Sequence, residues 1–135
     1  MSNHARDKLY IYLLLVLTVS FFLTGCDNGK KAEQKVSYSQ DIIPILQRHC
    51  LECHVNNAPG QQASGLDMST HQTLMKGTKF GSVIKAGDSL SSTLVILVEG
   101  KADPSIKMPH GDRPGLSKAE IKALRQWIDQ GALNN

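Results

Sequence analysis

Tyr38-Ser39-Gln40-Asp41-Ile42-Ile43-Pro44-Ile45-Leu46-Gln47-Arg48-His49, followed at once by Cys50-Leu51-Glu52-Cys53-His54, is the stretch that decides the fold. Ile42, Leu46 and Cys50 recur at i, i+4 and i+8, so the first part reads as a helix whose apolar face runs straight into the two cysteines. That face is expected to meet the last helix of the chain and whatever the cysteines hold. Ser39 or Asp41 is expected to cap the start, which leaves Pro44 among first-turn residues whose amide hydrogens are unpaired anyway. Helical spacing then brings both thiols to one side of a turn, with the His54 imidazole directly after them. His49 reads as a surface residue.

A bare C-x-x-C is a zinc half-site or a thioredoxin-like redox pair, and with a following histidine it is the pattern of c-type haem attachment. Zinc needs a second ligand pair, but no cysteine follows Cys53, and His49, His71 and His110 have no H-x-x-x-H spacing. A redox pair expects a βαβ context, of which the chain gives no sign. For haem every part has a use: the thiols of Cys50 and Cys53 add to the two vinyl groups, and His54 lies beneath the iron as proximal ligand. One covalent haem c is the cofactor expected. It would supply apolar mass to a small domain, in a chain of which Trp127 is the single tryptophan and aromatic residues make up 5%.

The distal side of such an iron commonly takes a methionine thioether in an electron carrier. Met108 stands in Lys107-Met108-Pro109-His110-Gly111-Asp112-Arg113-Pro114-Gly115, a loop-forming run that can aim a side chain inward, and is the expected second axial ligand. His110 is its competitor. Met68, near a turn spanning 64–69, reads as a packing residue. So does Met75, in a short helix that Ser69 would open with Gln72 and Gly77 would close.

The end of the chain gives the clearest helix. Ser117-Lys118-Ala119-Glu120 is a capping box, Leu116 and Ile121 stand at hydrophobic-staple positions, and Gly131 marks the stop. Ile121, Leu124, Trp127 and Ile128 form the apolar stripe, opposite Lys118, Lys122, Arg125 and Asp129 on the wet side, with Trp127 a core anchor near the haem. Thr93-Leu94-Val95-Ile96-Leu97-Val98 is β-branched, yet Asp88 and Ser89 before it and Gly100 after it resemble helix ends. It is read as a helix, because a lone strand has no partner here.

Arg6 and Lys8 precede the uncharged stretch Leu9 to Leu23, which is short for a spanning helix and suits the hydrophobic part of a signal peptide. Leu23-Thr24-Gly25-Cys26 resembles the lipobox of bacterial lipoproteins, a resemblance that implies cleavage after residue 25 and an acylated Cys26. Residues 1–25 are therefore expected to be a lipoprotein signal peptide, 26–35 a polar tether and 36–135 the folded domain. The formal charge of the whole chain is +3, without basic runs interleaved with aromatics, so no nucleic-acid partner is expected. Three cysteines also argue against a closed disulfide framework.

From Tyr38–Leu46 through Cys50–His54, Gly65-Leu66-Asp67, Gly87-Asp88, Ser92, Leu94, Met108-Pro109, Trp127-Ile128 and Gly131-Ala132, the domain resembles the planctomycete-type branch of the cytochrome c domain family. The resemblance implies an all-α class I cytochrome c fold around one covalent haem, with His54 and Met108 as axial ligands and electron transfer rather than catalysis as the activity. Class I members often use a proline carbonyl after the motif to accept the proximal imidazole N–H, and here Pro59 follows His54 closely. The expected setting is the bacterial envelope, with the lipid bilayer and redox proteins as partners. Two rivals stand beside this reading: a haem enzyme or sensor with an open distal site, and a haem-free module using Cys50 and Cys53 as a redox pair.

Overall fold

The computed structural model describes residues 34–135; the expected signal peptide, Cys26 and the first part of the expected tether lie outside the described residues. The described elements are a π-helical turn Tyr38–Ile42, α1 Ile43–His49, α2 Leu51–His54, α3 Pro59–Ser64, α4 His71–Lys76, α5 Thr93–Val98, a 3-10 turn Pro104–Ile106 and α6 Lys118–Asp129. Among the described residues the single β feature is an isolated bridge between Thr78 and Gly81. The all-α expectation holds.

The helix before the cysteines starts two residues earlier than the sequence indicated. Ser37, not Ser39 or Asp41, is the cap: its Oγ accepts from the Gln40 N–H at 3.2 Å, and the Asp41 carboxylate accepts from the Ser37 N–H at 2.8 Å. Asp41 thus returns a bond to the cap's own amide from one residue beyond the capping-box position. The first turn is wide, with the Ile43 N–H bonded to the Tyr38 carbonyl five residues back. Pro44 supplies the reason, since it has no N–H for the regular ladder and its ring would press on the Gln40 carbonyl in a tight α turn.

Ile42, Leu46, Leu124, Trp127 and Ile128 are all but fully buried, and the first turn packs on α6 as the periodicity required. Trp127 stacks on Tyr38 with ring centroids 5.4 Å apart, while His71 meets Tyr38 edge-on at 4.9 Å. The Trp127 indole N–H donates to the Leu133 carbonyl at 2.9 Å, which satisfies its one polar atom inside the core. The first described residues and the C-terminus clasp around this cluster. Ser39 N–H donates to the Asn135 carbonyl at 2.9 Å, and Val36 N–H to the Gln130 side chain at 2.8 Å.

α6 begins with the expected reciprocal bonds between Ser117 and Glu120 and ends in a Schellman motif, in which Ala132 N–H reaches the Trp127 carbonyl and Gly131 N–H that of Ile128. Thr93–Val98 is helical, and Lys101 and Gly100 close it the same way on Ile96 and Leu97. α4 is capped by Thr70 with Thr73, one residue after the expected Ser69 and Gln72. Gly77 closes α4 with φ +84°, where an added Cβ would lie 2.5 Å from the Gly81 carbonyl oxygen.

Two residues expected on the wet side of α6 do structural work. Arg125 forks onto the Glu99 carboxylate at 2.7 and 2.8 Å, and Asp129 accepts from Ser89 N–H at 2.8 Å and Ser89 Oγ at 3.0 Å. These bonds fix α6 to the end of α5 and to the loop before it. The Arg125 guanidinium, with Lys101, holds the Glu99 carboxyl down to about 2 from its ordinary 4.5. A depressed carboxylate pKa contributes stability above the unfolded value and loses it as pH falls toward the folded one. Glu99→Gln is therefore expected to lower the urea midpoint at neutral pH, with the gap to the native chain narrowing below about pH 4.5 and closing near pH 2. A gap independent of pH would mean that packing, not charge, carries the interaction.

Candidate cofactor site

The turn between α1 and α2 is built so that one short segment presents three side chains. Cys50 breaks the helical path with φ −124° and ψ −45°, then restarts it as its carbonyl accepts from both Cys53 N–H and His54 N–H at 3.1 Å. Cys50, Cys53 and His54 consequently line one cavity of about 460 Å³, a size within the range of small-molecule and cofactor sites. Its walls are apolar: Leu66 and Met68 on the loop after α3, Leu94, Leu97 and Val98 from α5, and Leu116 before α6. Met108 lines the same cavity, and its backbone N–H is tied to the Leu97 carbonyl at 3.2 Å.

His54 is buried, and its ring Nδ1 lies 3.3 Å from the Leu66 carbonyl oxygen. A carbonyl only accepts, so Nδ1 carries the proton and Nε2 keeps its lone pair. Burial pulls the imidazole pKa below its ordinary 6.5, against the opposing effect of that hydrogen bond, and the neutral ligand form is favoured. Pro59 does not supply this carbonyl. Leu66 does, held by a relay in which Ser64 Oγ donates to the Gly60 carbonyl at 2.6 Å and accepts from the Leu66 N–H at 3.1 Å.

α3 lies flush against the attachment turn, because an added Cβ on Gly60 would stand 2.8 Å from the Cys53 carbonyl oxygen and 3.0 Å from His54 Cε1. Met68 N–H bonds the His54 carbonyl at 2.8 Å, so the chain on both sides of Leu66 is braced on the same turn. Met68 is buried at the cavity wall, whereas Met75 packs against the core elsewhere and does not line it. His110 touches the cavity from an exposed position.

Two expectations need correcting. Trp127 is a core anchor but is not among the residues lining the cavity; its neighbours are Tyr38 and His71. His49 is not a surface residue: its side chain is 9% exposed, it lines the cavity, and its Nε2 meets the Glu120 carboxylate at 3.1 Å. Glu120 also pairs with Arg48 and accepts the Ser117 N–H, so the helix start and the residue before Cys50 share one carboxylate.

The donor set fits a covalently held haem better than a thiolate site. Cys50 and Cys53 are free thiols, and burial with its Cys53 neighbour pushes the Cys50 pKa up to about 12. A redox or zinc-binding cysteine needs a stabilised thiolate, whereas a thioether bond removes the ionisable proton altogether. Among the described residues no group of three or more His, Cys, Asp or Glu side chains could hold a metal ion, so the pair lacks the other half of a zinc site.

A neutral histidine behind two cysteines, set against an apolar cavity with a methionine on its wall, is an arrangement that suits a c-type cytochrome domain. Residues 50–112 match the family model described as planctomycete cytochrome C. The family implies a c-type haem and an electron-carrier role. No curated protein and no solved structure matches the chain.

Proposed function

We propose that this chain is a mono-haem cytochrome c tethered to a bacterial membrane, passing single electrons outside the cytoplasm to and from redox proteins of the envelope. The observation that carries the reading is the single cavity shared by Cys50, Cys53, His54 and Met108. A c-type haem bound there supplies a one-electron Fe(II)/Fe(III) couple. Cys50 and Cys53 hold it as thioethers, and His54 gives the iron its Nε2 lone pair. The Leu66 carbonyl holds the imidazole in one tautomer and one orientation.

Met108, on the wall of the same cavity, would give the iron its second protein ligand. Its soft thioether and the apolar walls would both favour the less charged ferrous state, which would raise the potential. Two protein ligands would leave no place for a substrate at the iron, and the reading is of a carrier rather than an enzyme. A haem enzyme or sensor would instead leave the distal position free. The oxidised protein is expected to show the weak far-red absorption band of iron–methionine ligation, lost in Met108→Ala and kept in Met68→Ala and Met75→Ala. A band that persists in Met108→Ala would assign the ligand elsewhere.

The membrane tether rests on the lipobox-like Leu23-Thr24-Gly25-Cys26. Among the described residues no helix is long and apolar enough to cross a membrane. Two or more acyl chains are needed for stable anchoring, and an acylated Cys26 would carry them. Replacing Cys26 by Ser is expected to move the domain from the membrane fraction to the soluble fraction of cells with its absorption spectrum unchanged. Retention of the variant in the membrane would point to an uncleaved apolar segment as the anchor.

A further inference from the structure

The segment from Pro109 to Leu116 runs between Met108 and α6 with residues 110–115 exposed. Its apolar fastenings are its two ends, Pro109 and Leu116, both buried. Among the described residues, the hydrogen bonds it makes to other parts of the chain all come from one side chain, Arg113. Arg113 forks onto Glu52, with Nη2 2.7 Å from Oε1 and Nη1 on Oε2. Glu52 lies between Cys50 and Cys53 in the attachment turn, so the pair joins the two segments that carry the site's iron-ligating and cysteine side chains. Arg113 itself lines the cavity.

We propose that the Glu52–Arg113 pair is a latch that positions Met108 by holding its loop against the attachment turn, an inference that rests on the reading of Met108 as axial ligand. Both side chains are partly in solvent, Glu52 72% and Arg113 42% exposed, so the latch is weak by construction. Planar two-point contact gives it a defined geometry that a lysine could not reproduce. Opening the pair leaves the loop fastened only at Pro109 and Leu116, and Met108 then departs more often. The cavity becomes accessible to an outside ligand for that fraction of time. Glu52 and Arg113 are positioning residues, acting on the iron through Met108 and not by touching it.

The test is the rate at which added imidazole displaces the methionine of the oxidised holoprotein, followed by loss of the far-red band. Glu52→Gln and Arg113→Gln are each expected to speed displacement by about two- to fivefold, the range of an exposed ion pair. The exchanged pair, Glu52→Arg with Arg113→Glu, is expected to return the rate to near native. Rising salt should bring the native rate up toward those of the single variants, which should themselves respond little. Lys101→Gln, which opens a different surface pair with Glu99, should leave the rate alone. Native displacement rates in both single variants, with the band still lost in Met108→Ala, would overturn the latch while leaving the ligand assignment standing. Retention of the band in Met108→Ala would remove the assignment and the latch together.

Discussion

The hydrogen bond from His54 Nδ1 to the Leu66 carbonyl is the interaction on which the proposed site depends, because it decides which imidazole nitrogen would be left to coordinate. It is made inside an apolar wall, where water cannot substitute for the lost partner and an unpaired ring N–H would be costly. The rest of the local structure serves to keep that carbonyl in place. Ser64 ties Leu66 to Gly60, Gly60 lets α3 lie against the Cys53 carbonyl, and Met68 closes the circuit back to His54. Removing any of these would let the ring turn, and a turned ring offers its proton where its lone pair should be.

Around that centre the protein separates apolar and charged work. The cavity walls come from α5, the loop after α3 and the residue before α6, while Tyr38, His71 and Trp127 form a second cluster that joins the first described residues to the C-terminus. Charged pairs lie around both, with His49 and Arg113 reaching the cavity wall. Arg125 with Glu99 locks α6 to α5, Glu120 gathers His49, Arg48 and the first turn of α6, and Glu52 with Arg113 bridges the attachment turn to the methionine loop. Packing thus sets the shape of the cavity, and weaker, salt-sensitive contacts set how firmly its movable wall is held.

Most local signals in the sequence agree with the structure, whereas most long-range polar partners are not legible in it. The α6 capping box, the Gly131 stop and the helical character of Thr93–Val98 depend on neighbours within a few residues, and all three are present. The helix starts at Ser37 and Thr70 were missed by one or two positions because serines and threonines cluster there and any of them can accept from a free amide. The wide turn before Pro44 was missed for a related reason, since proline announces a broken ladder without saying how the chain adapts. Leu66 could not be singled out, as a backbone carbonyl looks alike at every residue. The burial of His49 and the pairing of Arg125 depend on Glu120 and Glu99, residues 71 and 26 positions away. The order Cys50–Cys53–His54 is enough to place three site residues in one turn, and the loop-forming run around Met108 singles out the fourth, which the fold brings to the same cavity.

The most direct measurement of the central claim is the intact mass of the protein after export from a cell able to mature c-type cytochromes. The account predicts the mass of one haem added per chain, retained under denaturing conditions, with no thiol at position 50 or 53 left for an alkylating reagent. A chain of unmodified domain mass, with both thiols alkylated, would contradict it.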